Sequence, residues 1–212
     1  MKKFILALLF ICLCSVILIG CSEPRIDAAG SVKAIYDLYI LSDTAGILSL
    51  GMEQEDIAAA QQAYNDSLKE AIRTNFADSG QEIREDVLDS LWVARKQALA
   101  KMKATTEIME ESDGKATVVL HTTYFDESSL DEEAFYTAKD AAQQGDFDSL
   151  EEQQEFLMDT YTKNLINAYE RITPSADTRD IVVECVIQNK IWVPANMSSF
   201  GRDLAAAIAG QE

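Results

Sequence analysis

The stretch RDIVVECVIQNKIWVP, residues 179–194, decides the fold. Ile181, Val183, Cys185 and Ile187 alternate with Val182, Glu184, Val186 and Gln188. A period of two sends successive side chains to opposite faces of a strand. Asn189-Lys190 reads as a two-residue turn, with Lys a poorer second residue than Gly. Ile191-Trp192-Val193 then starts a return strand that Pro194 stops.

A second hairpin lies upstream. Segments 105–110 and 116–125 are rich in Thr, Val and aromatics, with Ser112-Asp113-Gly114 as the turn signal between them. Between the hairpins, a short acidic helix is predicted over 130–144, stopped by Gly145. A long helix follows, capped by Asp148 and Ser149 and carrying Leu150, Leu157, Tyr161, Leu165, Ala168 and Ile172 at steps of three, four or seven until Pro174 ends it. Before the first hairpin the period is helical throughout. Ser31 is expected to cap a helix bearing Val32, Ile35, Tyr36, Tyr39 and Ile40, and Gly46 and Gly51 should bend or break the apolar stretch 44–52. A helix over 53–76 shows Ile57, Tyr64, Leu68, Ile72 and Phe76 on one stripe. Ser79-Gly80-Gln81-Glu82 fits a capping box opening a third helix, with Ile83, Val87, Leu91, Ala94, Ala98 and Met102 on one side. A last helix from Ser198 uses Phe200, Leu204 and Ile208. Together these predict an α+β domain, with helices packed on one face of a small antiparallel sheet.

The N-terminus carries an address. Met1-Lys2-Lys3 is basic, residues 4–19 are almost wholly apolar, and the run ends at Gly20-Cys21, the pattern of a secretory signal. The run is short for a stable membrane span. Leu18-Ile19-Gly20-Cys21 resembles the lipobox of bacterial lipoproteins. That resemblance implies a diacylglyceryl cysteine at Cys21, with cleavage between Gly20 and Cys21, and two acyl chains hold a protein at a bilayer where one is marginal. The expected organisation is a lipoprotein signal peptide at 1–20, a lipidated tether at 21–30 and a single α+β domain at 31–212. With the signal gone, Cys12 and Cys14 leave and Cys21 is taken by lipid, so Cys185 is the one mature thiol and no intramolecular disulfide forms.

The order of elements, with the Asn-Lys turn and Trp192 beside it, resembles small surface lipoproteins of low-GC Gram-positive bacteria. Many of these are similar to cystatin-like or NTF2-like domains; the helical stretches over 53–102 would be additions to that plan. The resemblance implies a palmitate-labelled extracellular protein, anchored at the cell membrane on the extracytoplasmic side. It carries over no catalytic residue.

Charge narrows the partners. The formal net charge is −18, and losing Lys2 and Lys3 takes it to −20. Such a surface repels nucleic acid, whose recognition needs a basic face, and favours basic partners or cations. His121 is the only histidine, which excludes two-His zinc sites. A dyad of His121 with Cys185 requires their strands to present matching faces; the expected alternative is a buried, inert Cys185. Acidic pairs such as Asp126-Glu127, Asp131 to Glu133, Asp146 with Asp148, and Glu151-Glu152 read as a solvated surface that also supplies helix caps. No phosphate loop or serine-nucleophile motif is present. No metal and no cofactor are expected. Among the aromatics most fall on core stripes. Trp92 lies off the main stripe of its helix as a candidate exposed anchor, and Trp92 and Trp192 are the candidate ligand-binding residues. The function expected is a non-enzymatic module binding a small-molecule or protein ligand at the membrane. The alternative is a carboxylate-dependent hydrolase acting on cell-wall glycan, which needs two acidic side chains about 5–9.5 Å apart in a cleft.

Overall fold

In the computed structural model, which describes residues 24, 26–78 and 80–211, α1 (Ala28–Tyr36) runs across one face of a four-stranded sheet. The signal 1–20 and Cys21 lie outside the described residues. Asp27 caps α1 by accepting from the Gly30 N–H at 2.7 Å. Ser31, the expected cap, lies inside the helix and is buried, so the helix reaches three residues into the segment read as tether. The helix continues as a widened π-helical turn, Asp37–Leu41. The Gln61 side chain donates to the Leu38 carbonyl there at 3.4 Å. The stretch expected to bend holds a short helix, α2 (Ala45–Ser49). A Cβ on Gly46 would lie 2.7 Å from the Ala34 Cβ, so glycine is what lets α2 close onto α1.

Two long helices follow, α3 (Gln54–Asp78) and α4 (Glu85–Leu99). The junction between them differs from the predicted capping box. Gly80, at φ +79°, terminates α3 instead of leading into α4: its N–H bonds the Ala77 carbonyl at 2.9 Å and the Gln81 N–H bonds Phe76 at 3.0 Å, a left-handed C-terminal stop. α4 therefore starts at Glu85 without a side-chain cap, and Ile83 is not part of it.

The strands are β1 (Ala104–Ser112), β2 (Lys115–Thr122), β3 (Arg179–Gln188) and β4 (Ile191–Pro194), antiparallel in the order β1-β2-β3-β4. Both hairpin turns take positive φ at both central residues, Asp113 and Gly114 in one, Asn189 and Lys190 in the other, the geometry that matches strand twist. Between β2 and β3 the chain makes an excursion of two packed helices, α5 (Glu127–Gln144) and α6 (Leu150–Arg171). Asp126 caps α5. Ser149 caps α6 through the Glu152 N–H at 3.1 Å, while the Glu152 side chain accepts from Asp148 N–H at 2.9 Å. α7 (Met197–Ile208), capped by Asn196, closes the chain.

The sheet is buried on one face. Val118, Leu120, Ile181, Val183, Cys185 and Trp192 point inward against α1 and α7. At the centre the Tyr36 hydroxyl and Thr122 Oγ1 share a buried 2.9 Å hydrogen bond, and burial pushes the Tyr36 phenol up to about 12. The π-helical turn touches α3 and α4, joining the sheet to a helical half made of α3 to α6. The α+β class read from the sequence is the class of the fold.

Candidate functional site: a cleft in the helical half

Helices α3 to α6 converge on a cleft of about 510 Å³, within the range of about 300–1,000 Å³ typical of small-molecule sites. α3 lines it with Leu68, Ile72 and Phe76, α4 with Leu91 and Arg95, α5 with Glu127, Asp131 and Phe135, and α6 with Met158, Tyr161, Leu165 and Tyr169. Within each helix these positions recur at steps of three or four, so each turns one stripe toward the same space.

The polar groups of the cleft are few and organised. Arg95 Nε donates to Glu127 Oε1 at 3.1 Å and its terminal nitrogen to Oε2 at 3.3 Å, with the two side chains only 18% and 20% exposed. Burial works against the guanidinium charge, but Glu127, with help from Tyr169 and Tyr64, outweighs it and holds Arg95 above its ordinary value. Tyr169 lines the cleft with this pair. Burial first, and then the charge of Glu127, push its phenol up to about 12 against the pull of Arg95. Nearer the surface, the Tyr161 hydroxyl donates to Asp131. Burial and that bond raise the Tyr161 phenol, so it remains a donor throughout the physiological range. Phe76 and Phe135 flank the Tyr161 ring at centroid distances of 6.0 and 6.1 Å, Phe135 edge-on. Phe135 is 38% exposed. The arrangement offers apolar walls, a neutralised ion pair, and one carboxylate beside three rings.

The residues singled out in the sequence lie elsewhere. Trp92 is 6% exposed, which corrects its reading as an exposed anchor. The buried residues of α4 are Leu88, Leu91, Trp92, Ala94, Ala98 and Leu99, a stripe wide enough to take in Trp92, which stands four residues after Leu88 and seven before Leu99. Trp192 is 3% exposed on β4, inside the sheet core. Neither lines the cleft. Sequence reading missed Arg95 altogether, although one signal was present: it stands four residues after Leu91 and three before Ala98, a cation on an apolar stripe. Glu127 and Asp131 belong to the acidic pairs that read as solvated surface, and Tyr161 to the apolar stripe of the long helix.

His121 and Cys185 do not form a dyad, because they lie on opposite faces of the sheet. Cys185 is buried against the helices and burial pushes its thiol up to about 11, which leaves it protonated and inert. His121 stands on the open face, its Nδ1 2.6 Å from Asp180 and its Nε2 3.5 Å from Glu107. The hydrogen bond to Asp180, ahead of the contribution of Glu107, raises the imidazole above its ordinary 6.5. A raised folded-state value means that this cluster stabilises fully below pH 6.5 and loses its contribution as pH rises through the folded value. Thermal melts at pH 5.5 and 8.5 should therefore show a larger alkaline loss in wild type than in His121→Gln; equal losses would remove the imidazole from the account.

Among the described residues, no group of three or more His, Cys, Asp and Glu side chains is placed to hold a metal. No described helix is long and apolar enough to cross a membrane.

Comparison with known proteins places this geometry. Residues 51–184 match the family described as a domain of unknown function (DUF5105), a stretch that contains every residue lining the cleft. No curated protein matches the chain. A crystal structure of a Bacillus subtilis subsp. subtilis str. 168 chain (ycdA), described as a candidate lipoprotein, is similar with a TM-score of 0.64 and 18% identity, over 87% of this chain and 56% of that one. At that identity the likeness shows a shared fold. The present chain spans a little over half of the longer one.

Proposed function

The chain belongs to the DUF5105 family, and from that premise we propose that it is a lipid-anchored lipoprotein that binds a small ligand in the α3–α6 cleft without transforming it. The observation that carries this reading is the cleft itself: about 510 Å³ of mainly apolar wall converging on a few fixed polar groups. The family match spans all four helices that build it. The anchor rests on the lipobox at Leu18-Ile19-Gly20-Cys21, and the lipoprotein description of the similar Bacillus chain supports it. In this reading residues 1–20 are the signal, the tether is the short segment between Cys21 and Asp27, and the domain faces away from the cell at the outer side of the membrane. The placement of α1 across one face of a four-stranded antiparallel sheet supports a cystatin-like or NTF2-like plan for that half, to which α3 to α6 add the cleft.

A binding role is favoured over glycan hydrolysis by the carboxylates. A glycosidase sets two carboxyl groups on either side of the scissile bond, one of them protonated. Glu127 and Asp131, the two that line the cleft, stand four residues apart on one wall, and both Glu127 oxygens accept from Arg95.

The test places a photo-crosslinking amino acid at position 135, at the cleft mouth, and another at position 182 on the open sheet face, in cells labelled with palmitate. The expected result is label on the wild-type anchor, none on Cys21→Ala, and a small-molecule adduct at 135 that is missing at 182. An unlabelled wild type sinks the anchor, and equal adducts at both positions sink the cleft.

A further inference from the structure

We infer that the cleft takes a cation carried on an apolar body: a small amine or quaternary ammonium compound whose charge sits against Asp131 and the ring of Tyr161. The inference rests on the ligand-binding reading of the cleft and names its ligand class.

Charge comes first. Arg95 and Glu127 neutralise each other, with both carboxylate oxygens engaged. The net charge lining the cleft is therefore that of Asp131, whose carboxylate accepts from the Tyr161 hydroxyl and is exposed at the mouth. A hydroxyl donor leaves most of a carboxylate's acceptor capacity for a ligand. The rings come second. Phe76 and Phe135 both lie within 6.1 Å of Tyr161, and the faces of such rings attract cations electrostatically. Shape comes third: Leu68, Ile72 and Leu165 also line the cleft and give it apolar wall that suits a hydrocarbon or aromatic body. An anion would meet Asp131 at the entrance and find the Arg95 charge already paired with Glu127 through two donors. The whole chain, at −18, adds a field of the same sign.

Three probes of one shape and different charge test this: 4-phenylbutylamine, 4-phenylbutanol and 4-phenylbutyrate. Each is titrated by calorimetry into the full chain, purified as its cells make it and held in zwitterionic lipid nanodiscs, with empty discs as the blank. The amine is expected to bind about tenfold tighter than the alcohol, and the butyrate weakest of the three. Asp131→Asn should erase the amine's advantage and leave alcohol binding unchanged, and Phe135→Ala should weaken both. Salt should reduce the advantage, because Asp131 is exposed. Both positions lie on the exposed side of α5, so circular dichroism of the variants should match wild type. Equal binding of amine and alcohol, both lost in Phe135→Ala, overturns the cation inference while the cleft reading stands. Tightest binding of the butyrate overturns it in favour of Arg95. No binding by any probe, or binding that neither variant changes, overturns both.

Discussion

Glu127→Gln is expected to destabilise the fold by about 3 kcal/mol, because it leaves the Arg95 guanidinium in a largely buried site without its counter-charge. The side chain of Arg95 is 18% exposed, and Nε and a terminal nitrogen both donate to the Glu127 carboxylate. A neutral amide keeps the shape, offers one acceptor, and turns an NH2 group toward a cation. For a domain of this size the loss corresponds to about 6–12 °C in melting temperature. The double variant Arg95→Met with Glu127→Leu provides the contrast. It removes both charges and fills similar volume, and is expected to lie within about 1 kcal/mol of wild type. Thermal melts of the three proteins decide the matter. A Glu127→Gln protein as stable as wild type would mean that water solvates Arg95 well enough to make the pair dispensable. A large loss in the double variant as well would mean that the two stems pack α4 against α5 and that the charges are incidental.

Trp192→Ala carries the other large effect, a loss of about 4 kcal/mol. Trp192 pairs with Ile187 across the second hairpin and is 3% exposed in the core that α1 and α7 close. Truncation leaves a cavity bounded by strand β4 and the two helices, and β4 is only four residues long, with little else to hold it to the sheet. Trp192→Phe keeps a ring and should cost well under half as much. Urea titration reads both, and the midpoint should fall while the slope stays constant, since the surface exposed on unfolding hardly changes. A residue that met ligand would behave otherwise: truncation would weaken probe binding and spare stability. A Trp192→Ala protein that keeps wild-type stability yet loses 4-phenylbutanol would return Trp192 to the ligand-binding role read from the sequence and remove it from the core.

The strands were legible because a period of two is a statement about one segment. In residues 179–194 the alternation, the Asn189-Lys190 turn and the arrest at Pro194 are local, and β3 and β4 have the bounds that pattern implies. The long helix α6 was equally legible from its cap at Ser149 and its stripe. The junction at Gly80 was not. Gly80 and Gln81 belong to a capping box on paper and to a left-handed helix stop in the fold, and the choice depends on how far α3 runs before its neighbours end it. The burial of Trp92 was not legible either, because the stripe on α4 is wider than the single line through Leu91, Ala94 and Ala98, and its width is set by what packs against it.

The sequence by itself determined the class of the fold and the positions of the hairpins and most helices, since each follows from periodicity and composition within a single element. Only the tertiary structure decided that His121 and Cys185 face apart, and that Arg95, Glu127, Asp131 and Tyr161, carried on three helices and up to 66 positions apart, meet in one cleft. A stripe tells which side of a helix is buried. Which other stripe it meets is fixed by packing among all of them, and a charged residue on such a stripe acquires its partner only when that packing is complete.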